Sequence, residues 1–185
     1  AVPEVAFNSC LKLKSVTLAD RVTVDKAAFA NCIELAKFDS VITDMSGNSA
    51  SEVFRDCAEL KNLSYDFGDG KADFGENCFA KLKGLEELSV SAGTVVFGKN
   101  ALSDCVSLKK VTVKENGSVG GTIEADTFAG VTQSVDVYLN VSDSFIWKGF
   151  IKNNFRVYVP FKMTDKVKAE WYIDESQVFG YDFTA

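Results

Sequence analysis

Residues Phe97–Val113 read FGKNALSDCVSLKKVTV, and Phe74–Val90, 23 residues earlier, read FGENCFAKLKGLEELSV. Both stretches open on Phe-Gly, place Asn fourth and Leu twelfth, and close on an apolar residue, a hydroxyl residue and Val. Cys105 in one is Leu82 in the other. The same frame extends in both directions from an anchor position held by Phe7, Phe29, Phe54, Phe79, Leu102 and Phe128, a period of 22 to 26 residues. Three positions after each anchor stand Cys10, Cys32, Cys57, Leu82, Cys105 and Val131; six after stand Leu13, Leu35, Leu60, Leu85 and Leu108, with Ser134 departing in the last copy. Nine after stand Val16, Phe38, Leu63, Leu88, Val111 and Val137, and eleven after, Leu18, Ser40, Tyr65, Val90, Val113 and Leu139.

Self-similarity at this period is the mark of a solenoid, in which a copy buries its apolar side only by stacking on its neighbours. The ninth and eleventh positions alternate with polar ones, as a strand with one buried face requires. Stacked copies of that strand predict a parallel sheet. A second apolar row lies five residues before the anchors, at Val2, Val24, Phe74, Phe97 and Ile123, with Ser49 as the exception, and predicts a shorter ladder on the opposite wall. Between the ladders, Asn77, Asn100 and Asp126 stand where a short helical or 3₁₀ turn would take a cap.

The unit F-x-x-C-x-x-L-x-x-V-x-V, six times over from Val2 to Leu139, resembles the BspA-like leucine-rich repeat of bacterial surface and secreted proteins. FGKNALSDCVSLKKVTV and VDKAAFANCIELAKFDSV match it closely, and FRVYVPFKMTDKVKAEW resembles the ending of such arrays, where a final strand precedes a capping helix. The fold expected is an α/β solenoid: a right-handed leucine-rich repeat coil with parallel β ladders, short helical or 3₁₀ turns and a C-terminal cap. Six repeats would fill residues 1–139, and residues 140–185 would form the cap with a final strand and a short helix begun at Thr164. The resemblance implies a bacterial extracellular or cell-surface location and a non-enzymatic role in protein binding or adhesion, with a host or other surface protein as partner. A start at Ala1, with Val2 already in register, fits an internal boundary of a longer product.

Composition narrows the function classes. With 185 residues, 46% of them hydrophobic, the chain can fill a core. A net charge of −6, with arginine only at Arg21, Arg55 and Arg156, argues against nucleic acid, whose binding rests on clustered cations. No apolar run reaches the roughly 18 residues of a membrane span. With His 0, the commonest general base and metal ligand is missing. Neither a cofactor nor a metal is expected, and the chain is expected to be a monomer.

The cysteine slot also accepts leucine and valine, so it reads as a dry core position where a thiol is a small hydrophobe. Cys10, Cys32, Cys57, Cys78 and Cys105 are therefore all expected to be buried, reduced and slow to alkylate. Coils about 4.8 Å apart place Cys57 and Cys105 roughly 9 to 10 Å apart, beyond the ~7 Å reach of a disulfide. Asp66, Asp69 and Asp73 near two glycines lack the spacing of an EF-hand and read as a solvated turn. Ser64 and Ser89 have no histidine to activate them and read as small polar residues on a sheet face.

The binding face expected is the outward side of the main ladder. One row comprises Ser15, Lys37, Asn62, Glu87, Lys110 and Asp136; the next comprises Thr17, Asp39, Ser64, Ser89, Thr112 and Tyr138. Solenoids present such rows as extended binding surfaces. Two alternatives stand beside it: a passive structural spacer of a larger surface protein, and a glycan-binding module using the aromatic C-terminal segment. In that segment Phe145, Trp147 and Phe150 read first as rings that seal the open end of the core.

Overall fold

A computed structural model describes residues 1–19, 22–39, 42–44, 50–117, 119–149, 152 and 154–184, with 42–44 given by their backbone alone. Ser40, Ser49, the irregular stretch at 46–49 and Phe150 lie outside the described residues. The chain winds into a parallel β-solenoid of about seven turns. Numbered along the chain, the odd strands form the main wall: β1 (Ser15–Thr17), β3 (Lys37–Asp39), β5 (Asn62–Asp66), β7 (Glu87–Ala92), β9 (Lys110–Glu115), β11 (Val135–Asn140) and β13 (Phe155–Pro160). The even strands form the second wall: β2 (Val22–Thr23), β4 (Ile42–Asp44), β6 (Lys71–Phe74), β8 (Thr94–Phe97), β10 (Thr122–Ile123) and β12 (Ile146–Trp147). A last strand, β14 (Val178–Tyr181), pairs with β13 and lengthens the main wall.

The register is the one the repeat frame predicts. Leu88 lies beside Leu63 and Val111, and Val137 beside Val111, all facing inward. On the other wall Phe74, Phe97, Ile123 and Trp147 follow one another in register, all buried. Between the walls the anchors stack face to face: Phe7, Phe29, Phe54 and Phe79 have ring centroids 5.2, 5.8 and 6.0 Å apart. Leu35, Leu60, Leu82, Leu85 and Leu108 fill the remaining layer, all buried.

Two expectations need correction. The main wall is not one continuous sheet, because β1 and β3 form a two-stranded sheet apart from the six strands β5 to β14. Phe38 takes the slot that holds Val16 and Leu63 in the flanking coils, and its ring stands edge-on to Phe29 and Phe54 at 5.2 and 4.8 Å. Past the repeats, β13 and β14 carry the main ladder on to Tyr181.

The corners, second, are not helical apart from a 3₁₀ residue at Ala50. The α-helix among the described residues, α1 (Thr164–Glu170), and the 3₁₀ turns Phe161–Met163 and Glu175–Gln177 all follow the repeats. The corners at Phe29, Phe79 and Leu102 are runs of turns with left-handed residues two before and two after the anchor, Ala27 and Asn31, Asn77 and Lys81, Asn100 and Asp104, all at φ of 52 to 61°, whereas at Phe128 only Gly130, two after, is left-handed. Within a corner, alternate amides close i to i+3 turns, as Ala80 N–H does on Asn77 O at 3.1 Å. The others reach forward to the next coil: Asn77, Phe79 and Lys81 donate to Lys99, Ala101 and Ser103 at 3.1, 2.9 and 2.7 Å. A 3₁₀ helix would consume every amide inside its own coil. The alternation instead makes the corner a third hydrogen-bonded wall. Asn and Asp recur there because they tolerate the left-handed region better than other non-glycine residues.

The cysteine slot sits on this wall. Cys32, Cys57 and Cys105 donate from Sγ to the carbonyls of Phe7, Phe29 and Phe79 of the preceding coil at 3.1, 3.1 and 3.2 Å. The thiol thus adds a hydrogen bond that Leu82 and Val131 lack. Burial pushes Cys105 up to about 12 and raises Cys78; Cys57 is raised by its contact with Cys32 and by burial. Cys10, however, is exposed, because no coil stacks on the outer side of the first corner among the described residues.

Toward the C-terminus longer side chains take over these bonds. Gln133 donates to Cys105 and Leu108 carbonyls at 2.8 and 2.9 Å, Lys152 to Phe128 and Val131 at 3.1 Å each, and Gln177 to Lys152 and Phe155 at 2.6 and 2.8 Å. Each forks onto two carbonyls three residues apart in the coil beneath, the first of which also accepts the amide that closes its own turn. At the edge between the walls, the half-buried Glu115 carboxylate accepts from Val95 N–H at 3.2 Å and from Ser142 N–H and Oγ at 3.3 Å. Gly121 makes room for it, since a Cβ there would lie 1.8 Å from Val95 O and 2.6 Å from Glu115 Oε1. Burial raises the Glu115 pKa against the pull of those amides.

Candidate binding face

The outward residues of β5, β7, β9, β11 and β13 fall into straight rows because the strands are parallel and in register. Asn62, Glu87, Lys110 and Asp136 stand side by side, and Arg156 continues the row. Ser64, Ser89, Thr112 and Tyr138 form the next, which Tyr158 and Phe179 extend. The structure therefore brings together eight of the twelve residues of the two expected rows. The exceptions are Ser15 and Thr17 on β1 and Lys37 and Asp39 on β3, in the separate two-stranded sheet, where Lys37 and Asp39 pair with each other at 3.3 Å.

Small outward side chains leave a shallow depression of about 340 Å³ over β5, β7 and β9, bordered by Asn62, Ser64, Glu87, Ser89, Lys110 and Thr112. Beyond it the charges are tied down. Arg156 grips Asp136 with two bonds, Nε to Oδ1 at 2.5 Å and a terminal guanidinium nitrogen to Oδ2 at 2.9 Å. That contact raises the Arg156 pKa. Lys109 pairs with Glu86 at 2.6 Å beside the face and lowers the Glu86 pKa through that hydrogen bond. Exposed pairs of this kind are worth at most about 1 kcal/mol, so they define charge pattern more than stability.

The face then changes character. Lys110 Nζ lies 5.3 Å from the Tyr138 ring centroid, within cation–π range. Tyr138 stacks on Tyr158 at 4.4 Å and 7°, Tyr158 on Phe179 at 5.3 Å, and Tyr181 sets its ring edgewise to both tyrosines at 5.2 and 6.0 Å. Burial, then the neighbouring Tyr158, raises the Tyr138 pKa. Sequence reasoning reached Tyr138 but missed Tyr158, Phe179 and Tyr181. The signal was present: in FRVYVP and VFGY these rings alternate with Val157, Val159 and Val178, which are buried. The rings that drew attention instead, Phe145 and Trp147, are 1% and 5% exposed.

The other candidate chemistries resolve into surface structure. Asp66 Oδ1 accepts from Gly68 N–H at 2.9 Å, which closes the turn, and Asp73 pairs with Lys71 at 2.7 Å. Among the described residues no group of three or more His, Cys, Asp or Glu side chains is placed to hold a metal ion. No helix among them is long and apolar enough to cross a membrane.

No curated protein and no solved structure matches the chain. The family model of the BspA type leucine rich repeat region does match, in six copies over residues 1–135. That span holds all six anchors and the cysteine and leucine slots whose registers are described above, and the chain belongs to the BspA-type leucine-rich repeat family.

Proposed function

We propose that this chain is a non-enzymatic, extracytoplasmic module that binds a protein partner, in adhesion or a related surface contact, through the outer face of β5 to β14. Leucine-rich repeats point to protein interaction and are in general not catalytic, and the BspA type is typically associated with bacterial surfaces. Residues 1–139 serve as the repeat array and 140–185 as its capping end.

The observation that carries the reading is the graded face itself. A shallow polar depression passes, across Lys110, Asp136 and Arg156, into the exposed cluster of Tyr138, Tyr158, Phe179 and Tyr181. Tyrosine and arginine are the residues that dominate binding hot spots, whereas serine and threonine contribute little. The anchor is therefore placed at the aromatic end and the discriminating charges beside it. The test is capture of host matrix proteins on immobilised protein, repeated with Tyr158→Ala and Lys110→Glu. Each should weaken binding at least tenfold while the melting temperature stays within about 2 °C. Binding that survives both changes rules out this face, and a chain that captures no protein in such a panel fits the spacer.

A further inference from the structure

The two walls end at different places. Beyond β11 the main wall gains two strands, β13 and β14, whereas beyond β10 the second wall gains only β12. Among the described residues no strand pairs with the outer edge of β12. Where that strand would lie there is a trough of about 660 Å³ between β12 and the C-terminal end of α1. Its floor is aromatic: Trp171 approaches Phe145 and Trp147 at 6.2 and 6.3 Å. Ile146 and Tyr172 form the rim and are 51% and 65% exposed.

The edge is also chemically poised. Ile146 and Lys148 N–H donate to the Gly121 and Ile123 carbonyls of the preceding coil at 3.1 and 2.8 Å. In a parallel ladder alternate residues bond to opposite sides, so the amide and carbonyl of Trp147 face the trough. Carbohydrate would need an open ring face, yet Trp147 and Trp171 are 5% and 7% exposed. Asp143, which pairs with Lys162 at 3.5 Å, lies at the end where β12 begins, and Lys148, which pairs with Glu124 at 2.6 Å, at the end where it stops, so a peptide's charges would join these exposed pairs.

We propose that this trough binds an extended peptide segment of a partner protein, added beside β12 as a further parallel strand. Four to six residues would span it at about 3.3 Å each. Main-chain bonds to Trp147 supply the pairing. The central residue should be apolar, since it would lie against Ile146 and Tyr172, the exposed rim above the buried Trp147 and Trp171. A basic residue toward the peptide's N-terminus and an acidic one toward its C-terminus complement Asp143 and Lys148. The site is separate from the face of β5 to β14, and each can fail without the other.

Both tryptophans of the chain, Trp147 and Trp171, line the trough, so their emission reports its occupancy directly. The probe is a positional-scanning library of N-acetylated hexapeptides, read by tryptophan emission and by anisotropy of fluorescein-labelled members. Library members with a basic first third, apolar centre and acidic last third should bind best and shift the emission. N-methylation of alternate peptide residues should abolish binding in one phase and leave it within twofold in the other. Ile146→Glu, an exposed change, should weaken the best peptide at least tenfold with the urea midpoint unchanged. The proposal is overturned if no member binds below 1 mM, if both N-methylation phases behave alike, or if Ile146→Glu binds normally. It is equally overturned if a linear oligosaccharide produces the emission shift, or if sedimentation shows a second copy of the chain in the trough whose removal by Ile146→Glu accounts for the effect.

Discussion

Replacing Gln177 tests whether the forked side-chain bonds hold the C-terminal coils in place. Gln177 is 6% exposed, and its amide donates to the carbonyls of Lys152 and Phe155 at 2.6 and 2.8 Å. Its Oε1 accepts from Asp174 N–H at 3.3 Å, completing a capping box with the Asp174 carboxylate. Gln177→Met keeps the volume and removes all three bonds. At about 1 kcal/mol for each bond, with more for a buried acceptor left open, the loss should be about 2 to 4 kcal/mol. Gln177→Glu is harsher, since at neutral pH it sets a carboxylate against two carbonyl oxygens. That environment raises its folded pKa above the unfolded value near 4.3. Stability of this variant should therefore be greatest below about pH 4 and fall as pH rises through the folded pKa. Urea unfolding followed by tryptophan emission suits the measurement because Trp147 and Trp171 both sit in these coils. Hydrogen exchange at Tyr158 and Val178 separates local fraying from global loss. A Gln177→Met protein within about 0.5 kcal/mol of wild type, with unchanged exchange there, would refute the reasoning.

Lys81 holds a left-handed conformation at φ 60° with its side chain exposed, so Lys81→Gly should stabilise by about 0.5 to 1 kcal/mol in urea unfolding. In iodoacetamide labelling of the folded protein, read by intact mass, Cys10 should react within minutes while Cys32, Cys57, Cys78 and Cys105 wait for unfolding; fast modification of Cys105 would contradict its burial. The raised pKa of Glu115 means that its contribution is fully present below about pH 4.3 and lost as pH rises through the folded value. The stability difference between wild type and Glu115→Gln should accordingly move in favour of Gln from pH 4 to pH 7; a flat difference would place the carboxylate in solvent, and the opposite slope would mean that its amide donors outweigh burial.

Most of the architecture was legible because each layer repeats a residue type at a fixed offset. The two ladders follow from Leu63, Leu88 and Val111 on one side and Phe74, Phe97 and Ile123 on the other. The corners were misread because Asn77 and Asn100 serve equally as helix caps and as left-handed turn residues. Only the destination of each amide, in its own coil or the next, distinguishes the two. Gln133, Lys152 and Gln177 escaped notice because a side chain that bonds a backbone carbonyl one coil away leaves no periodic trace in the sequence. The binding face was legible through Tyr138, where the repeat frame stops. Past it the coils shorten, so Tyr158 and Phe179 could not be aligned with the row they complete. Lys37 and Asp39 aligned well and still fell outside the six-stranded sheet, since the break between β3 and β5 leaves the 25-residue spacing from Phe38 to Leu63 unchanged.

All three walls join one coil to the next by bonds that run along the solenoid axis, and this has a mechanical consequence. Tension applied along the axis does not load every bond together. It concentrates on the outermost coil, which peels before its neighbour feels the force. Each release frees 22 to 26 residues that occupied about 4.8 Å of axis and can extend to roughly 75 to 90 Å. Pulled from its ends, the chain should lengthen in steps of roughly 70 to 85 Å, with the two-stranded sheet of β1 and β3 yielding at lower force than the six-stranded run. A module held between a surface and a partner would then pay out length under load while its remaining coils kept their register.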